Sequence, residues 1–77
     1  MIKHRVYSAI VNAIREGRLQ EPFSTDDFRS VCNGFGDGTY KAFLYKHRRY
    51  NLNGNTELFE KIGRNKFKII RPLKYDL

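Results

Sequence analysis

Residues 34–39, "GFGDGT", have the composition of a phosphate-binding turn, with a glycine at every second position. The turn leads directly into an aromatic and basic segment with helical periodicity. Glycine-rich turns of this kind hold phosphates at a helix N-terminus in nucleotide-binding proteins. A short glycine-rich turn also connects the two helices of a DNA-binding helix-turn-helix. The two interpretations imply different ligands, and the residue spacing distinguishes them.

The spacing of these glycines does not match a nucleotide-binding loop. A dinucleotide fingerprint requires G-x-G-x-x-G after a buried strand, whereas this chain has G-x-G-x-G after a predicted helix. A P-loop requires a lysine before the Ser/Thr, but here Gly38 precedes Thr39 and Asp37 would repel a phosphate. We therefore interpret the glycines as a turn between helices. The amides of Gly38 and Thr39 remain able to hold one phosphate of DNA.

The residues that could support catalysis or bind a metal are few and widely spaced. Cys32, His4 and His47 show neither C-x-x-C nor H-E-x-x-H spacing, so His47 is interpreted as a core histidine and Cys32 as a small hydrophobic residue. The neighbouring Asp26 and Asp27 lie where a helix N-terminus favours negative charge. No nucleophile, base and orienting group can be assembled locally. We expect no enzymatic activity, no metal and no cofactor.

The positive charge of the chain is confined to its second half. Residues 1–38 contain five basic and five acidic residues, whereas residues 39–77 contain ten basic and three acidic ones. The whole net charge of +7 therefore lies in residues 39–77. A segregated basic surface indicates a polyanionic partner. The alternative is that the charge only maintains solubility.

The length of 77 residues predicts one domain, residues 1–77. A single cysteine cannot form an internal disulfide, which favours a reducing compartment. No apolar run approaches the roughly 20 residues of a membrane helix, and the N-terminal residues lack the apolar stretch of a signal peptide. We therefore expect a cytoplasmic protein that does not enter a membrane, as a monomer or a weak homodimer.

Hydrophobic periodicity predicts three helices. The first covers residues 2–16 and ends at Gly17. The second covers residues 24–32, with Ser24 as N-cap and Asp27 completing a capping box. The third begins at residue 37 or 38 and extends to residue 49.

The third predicted helix has two different faces. Tyr40, Phe43, Leu44 and His47 follow i, i+3, i+4, i+7 spacing and are expected to pack into the core. The opposite face and its flanks are basic or small, and this set comprises Thr39, Lys41, Ala42, Tyr45, Lys46, Arg48 and Arg49.

Residues 57–71 predict a β-hairpin with strands at about 57–62 and 66–71. Gly63 or Asn65 is expected to supply the positive φ of its turn, and Pro72 to end the second strand. The tail is expected to dock on the core through Leu73, Tyr75 and Leu77. Basic side chains lie on or near the hairpin tip, where they suit phosphate contact or protection of a strand edge; they are Lys61, Arg64, Lys66 and Lys68.

The order of three helices and a hairpin, with a glycine-rich turn between the second and third helices, resembles winged helix-turn-helix domains. Residues 23–75 are similar to a small, poorly characterised prokaryotic winged-helix family with the pattern "FxTxDF…GTY…FLxKHR…LFE…KFKxIRPxKY". This resemblance implies an α+β winged-helix fold and, by analogy, DNA binding. It does not imply a target site or a reaction, because fold alone does not determine function.

The sequence therefore predicts a DNA-binding protein, either a transcriptional regulator or a targeting module. The third helix would enter the major groove and the hairpin would contact phosphate. The predicted contacts are Thr39, Lys41, Ala42, Tyr45, Lys46, Arg48, Arg49, Arg64 and Lys66. The alternative is a protein-interaction module that uses Tyr45 and Tyr50 as anchors. RNA binding ranks third, because no RNP or KH signature is present.

Overall fold

A computed structural model describes residues 2–50, 52, 54 and 56–71, with side chains from Arg5 onward. It contains three helices, α1 (Ile2–Arg15), α2 (Thr25–Val31) and α3 (Asp37–Lys46), followed by two strands, β1 (Phe59–Gly63) and β2 (Lys66–Ile69). The strands form an antiparallel hairpin. This α+β order is the predicted one and is consistent with a winged-helix shape. We call the hairpin, residues 59–69, the wing.

The first two helices begin and end where local sequence chemistry dictates. Gly17 adopts a φ of +79° after α1, and the N–H of Arg18 donates to the carbonyl of Ala13 at 2.9 Å. A positive φ at this position is readily adopted only by glycine. The Ser24 hydroxyl accepts from the N–H of Asp27 at 3.1 Å, and the Asp27 carboxylate accepts from the N–H of Ser24 at 3.0 Å. The predicted capping box is thus confirmed.

The third helix ends at Lys46, three residues before its predicted end, so the prediction of helix to residue 49 was wrong. The carbonyl of His47 accepts hydrogen bonds from the N–H groups of Leu58 and Phe59, at 2.7 and 3.1 Å. The N–H of Arg49 donates to the carbonyl of Phe59 at 2.7 Å. These bonds draw the chain beyond α3 into a short parallel pairing with the start of the wing, and they compete with further helical turns. Arg48 and Arg49 therefore lie outside the helix.

The core is built around Phe59, which is fully buried at the start of the wing. Its ring makes edge-to-face contacts with Tyr7 of α1, Phe23 between α1 and α2, and Phe43 of α3, at centroid distances of 6.1, 6.2 and 5.8 Å. On α3, Tyr40 and Leu44 are buried as predicted, whereas Phe43 and His47 are half-buried at the edge of the core. One aromatic cluster therefore joins α1, α3, the wing and the segment before α2.

The wing has the antiparallel register Phe59↔Ile69, Glu60↔Lys68 and Lys61↔Phe67, with a bulge before the turn. Asn65, at a φ of +54°, supplies the positive φ in the turn, and Gly63 does not. β1 starts two residues later than predicted and β2 ends two residues earlier. Pro72 and the predicted docking of the tail lie outside the described residues.

The turn between α2 and α3 is held by a buried tyrosine. The hydroxyl of Tyr40 donates to the carbonyl of Cys32 at 2.6 Å and accepts from the N–H of Phe35 at 3.1 Å. Gly34 has a φ of +101°, which reverses the chain direction between these two partners. The glycines therefore form the interhelical turn that the sequence predicted.

Over the described ranges, no helix is both long and apolar enough to cross a membrane.

Candidate nucleic-acid interface

The outward face of α3 carries the small and basic side chains predicted to contact DNA. Lys41, Ala42, Tyr45 and Lys46 are exposed there, and with Arg48 they line an open depression of about 530 Å³. Thr39, one turn closer to the helix start, is half-buried. The periodicity of α3 alone places these side chains together, because residues three and four apart share a helix face. The part of the predicted outward face that lies within α3 is therefore present in the structure.

Tyr45 connects this face to the wing. Its side chain is 38% exposed, and its ring stands edge-on to Phe67 of β2 at a centroid distance of 5.1 Å and an interplanar angle of 87°. Such pairs contribute about 0.5–1.5 kcal/mol beyond their buried area. Tyr45 is therefore both a surface residue of α3 and a packing contact for the second strand.

The structure places Arg48 and Arg49 beyond the end of α3, although Arg48 still lines the depression beside the outward face of the helix. Both are half-buried, and Arg48 pairs with Phe59 in the parallel bridge. The guanidinium of Arg49 lies 6.0 Å from the centre of the Tyr50 ring. The Nε of Arg49 is buried and finds no hydrogen-bond partner among residues that the structure describes. A nucleic-acid contact by either arginine remains a prediction, and it would come from the segment after α3.

The wing presents a second group of cations. Arg64 and Lys66 flank Asn65 in the turn, and both side chains are exposed. Two extended cations at a hairpin tip suit contact with a phosphate backbone, because such contacts need reach and charge more than fixed geometry. We use the name α3–wing surface for Lys41, Ala42, Tyr45, Lys46, Arg64 and Lys66.

The ion pairs of the protein lie mostly away from the α3–wing surface. None of the described acidic side chains forms a salt bridge with Lys41, Lys46, Arg64 or Lys66. Among the described residues four carboxylates pair with other cations, as Arg18–Glu16 at 2.6 Å, Arg29–Asp37 at 3.1 Å, Lys68–Glu60 at 3.9 Å and Arg71–Glu21 at 2.6 Å. Arg5, Arg15 and Lys61 are also exposed without an ion pair among the described residues, but the α3–wing surface brings four such cations to one helix face and the hairpin tip.

The side chains considered for catalysis or metal binding make contacts with the rest of the fold. Cys32 is 5% exposed, its Sγ lies 3.7 Å from the carbonyl oxygen of Ala9, and burial raises the pKa of its thiol. A raised pKa keeps the thiol protonated, which disfavours nucleophilic attack. The Nδ1 of His47 lies 2.8 Å from the carbonyl oxygen of Thr56, so this nitrogen carries the proton. Within the described ranges, no group of three or more His, Cys, Asp or Glu side chains is arranged to bind a metal.

No pattern in the sequence indicates the carboxylate that joins the segment after α1 to β2. Glu21 Oε2 accepts from the N–H of Ile69 at 2.7 Å, and its two oxygens accept from the Arg71 guanidinium at 2.6 and 3.2 Å. Partial burial by itself raises the pKa of this carboxyl. The hydrogen bonds from Arg71 and Ile69 and the charges of Arg71 and Lys68 outweigh it, so the pKa lies below its ordinary value of 4.5. These partners are 48 and 50 residues away in sequence, so no local pattern reveals them.

The lowered pKa of Glu21 makes stability depend on pH in a defined direction. Because the folded-state pKa lies below the unfolded value, the ionised carboxylate stabilises the fold above about pH 4.5, and this stabilisation is lost as pH falls through the folded pKa. We expect Glu21→Gln to lower Tm at pH 7, with the gap to wild type closing as pH falls below about 4.5 and through the lowered folded-state pKa. Thermal melts across this range measure the gap. Glu16→Gln, which removes a carboxylate paired with exposed Arg18, is the charge-matched control. A Glu21→Gln gap that is constant with pH would contradict the assignment.

Comparison with known proteins finds no matching family model, curated protein or solved structure for this chain. The resemblance to a prokaryotic winged-helix family therefore stays a prediction.

Proposed function

We propose that the protein binds double-stranded DNA through the α3–wing surface, as a regulator or a targeting module. The observation that carries the proposal is the distribution of charge. Lys41 and Lys46 on α3, and Arg64 and Lys66 on the wing, are exposed, and none of them forms an ion pair with a described carboxylate. Cations in such an arrangement are available to displace counterions from a phosphate backbone.

The dimensions of α3 suit the major groove. Its ten residues span about 15 Å, and the groove of B-DNA is about 12 Å wide. The lysines on its outward face can donate to guanine O6 and N7 or to phosphates, and the methyl group of Ala42 can contact a thymine methyl. The exposed hydroxyl-bearing edge of Tyr45 adds one hydrogen-bonding group beside them. In this arrangement α3 supplies sequence preference.

The wing supplies affinity without sequence preference. Arg64 and Lys66 extend from a turn, and phosphate contacts from such side chains position a protein on the duplex but carry no sequence information. The ion pair of Lys68 with Glu60 partly neutralises the rest of the same strand face. The contact with phosphate is therefore assigned to the tip of the wing.

A salt titration of DNA binding tests the proposal. Four phosphate contacts predict that log K falls with log[salt] with a slope of about −3.6, so affinity drops roughly 100-fold between 50 and 200 mM salt. The measurement is the fluorescence anisotropy of a labelled duplex at each salt concentration. Absence of binding at 50 mM salt, or affinity that does not change with salt, would exclude this function.

Exposed apolar side chains after α3 favour a second candidate, a protein-interaction module. Tyr50 is 78% exposed and Leu52 is fully exposed, and aromatic side chains of this kind anchor protein interfaces. A partner that co-purifies after nuclease treatment, and is lost with Tyr50→Ser but retained with Lys46→Ala, would favour this candidate. The reverse dependence on the two variants would favour DNA.

A further inference from the structure

Residues before and at the start of α2 run antiparallel to β2 in a regular register. Glu21 faces Ile69, Phe23 faces Phe67 and Thr25 faces Asn65. Moving two residues forward along the segment before α2 corresponds to moving two residues backward along the wing. This is the spacing of hydrogen-bonded pairs in an antiparallel ladder.

Only the middle pair of this register uses backbone groups on both sides. Phe23 and Phe67 exchange both N–H···O bonds, at 2.9 and 2.8 Å. On one side, the Glu21 carboxylate accepts the N–H of Ile69 at 2.7 Å, where a strand carbonyl would accept it. On the other, Asn65 Oδ1 accepts the N–H of Thr25 at 3.3 Å. Side-chain oxygens thus extend a one-residue bridge into a contact five residues long.

The other residues of this segment leave no N–H available for a further strand. Pro22 has no N–H, and the N–H of Ser24 donates to the Asp27 carboxylate in the capping box. A proline and N–H groups that are already hydrogen-bonded, at the outer side of a sheet, prevent pairing with a further strand. The segment therefore closes the sheet beside β2.

Residues of this register also join the wing to α2 and to α3. Asn65 lies between the two cations of the wing tip, and its partner Thr25 is the first residue of α2. Phe67, one strand position further, receives the ring of Tyr45 from α3. The wing is thus connected at its tip to α2 and at its centre to α3.

We propose that Glu21, Phe23 and Asn65 form a clamp that holds the wing-tip cations in a fixed position relative to α3. The role of the clamp in binding rests on the proposed DNA-binding function. In that role Asn65 is a positioning residue for Arg64 and Lys66. A wing that is already ordered before binding does not lose conformational entropy by becoming ordered when it binds the duplex. The clamp therefore raises affinity without any contact of its own to DNA.

Backbone order parameters from NMR, measured without DNA, test the clamp directly. In wild type we expect values near 0.85 for the amides of residues 66–68, and a fall toward 0.6 in Asn65→Gly and in Glu21→Ala. Glycine keeps the positive φ of the turn but removes the side-chain acceptor. Asn65→Asp keeps both an acceptor and tolerance of positive φ, so it should retain the order of wild type. Mobile wing amides in wild type, or order unchanged in Asn65→Gly and Glu21→Ala, would overturn the clamp.

A double-mutant cycle with DNA tests the positioning role. Asn65→Gly is expected to weaken binding about 3- to 10-fold, and to add no further loss when Arg64 and Lys66 are already glutamine. Equal losses in both backgrounds would mean that Asn65 acts through general stability, which overturns the positioning role. If wild type fails to bind any duplex, the proposed function fails, and the order parameters then decide the clamp by themselves.

Discussion

Glutamine at all four unpaired cations of the α3–wing surface is expected to abolish most of the affinity for DNA and nearly all of its salt dependence. The four substitutions are Lys41→Gln, Lys46→Gln, Arg64→Gln and Lys66→Gln. Each removes one phosphate-neutralising charge, so the salt slope should fall in magnitude by about 1 per residue. At 0.1 M salt this corresponds to roughly 8-fold in affinity per contact, and to roughly 4,000-fold for all four. Anisotropy titrations at several salt concentrations measure both quantities.

The two halves of the surface can be separated by double variants with equal charge changes. Lys41→Gln with Lys46→Gln should lower affinity and relax any sequence preference, whereas Arg64→Gln with Lys66→Gln should weaken binding to all sequences alike. Arg15→Gln with Arg18→Gln removes the same net charge from exposed positions at and after the end of α1. This control is expected to change affinity less than 3-fold, because long-range charge effects are screened within about 8–10 Å. Equal losses in the control and in either test pair would contradict the assignment of the surface.

Phe59→Ala is expected to destabilise the protein by about 3–5 kcal/mol, the largest effect of any single substitution considered for this fold. A chain of 77 residues has a total stability of roughly 4–12 kcal/mol, so this loss removes about a quarter of it at the upper limit and all of it at the lower limit. The physical reason is that one fully buried ring contacts α1, α3 and the segment between α1 and α2 together. Urea denaturation followed by circular dichroism measures the change in unfolding free energy.

Phe35→Ala is the matched control for this prediction. It deletes the same atoms from a half-buried ring that has one aromatic contact among the described residues, to Tyr40 at 6.2 Å. Its expected cost is about 1–2 kcal/mol, since less area is buried and the site can relax toward solvent. If the two substitutions cost the same, Phe59 does not have the central role in packing that its contacts indicate.

Local chemistry in the sequence predicted most of the secondary structure. The capping box of Ser24 and Asp27, the positive φ at Gly17 and the inward row of Tyr40 and Leu44 depend only on residues within one or two helical turns. Such features can be inferred from one sequence, because backbone capping and helical periodicity act over short distances. The end of α3 could not be inferred in the same way, since the groups that stop it come from residues 58 and 59.

The sequence also determined where the positive charge lies along the chain, but not how the cations are arranged in space. Confinement of the positive charge to residues 39–77 already indicated a polyanionic partner. The structure decided that Arg48 and Arg49 lie beyond the end of the helix, and that none of the described carboxylates pairs with Lys41 or Lys46. Ion pairs between distant residues depend on the fold, so composition cannot show which charges remain unneutralised.

The contacts between distant segments were decided by tertiary structure alone. Glu21 with Ile69, Phe23 with Phe67 and Thr25 with Asn65 are separated by 40 or more residues, and none has a recognisable local pattern. The sequence by itself determined three helices, a hairpin, the capping of α2 and the segregation of charge, because each depends on neighbours in the chain. The tertiary structure decided where α3 stops, which cations stay free and how the wing is held, because those depend on hydrogen bonds and packing between segments that only the fold brings together.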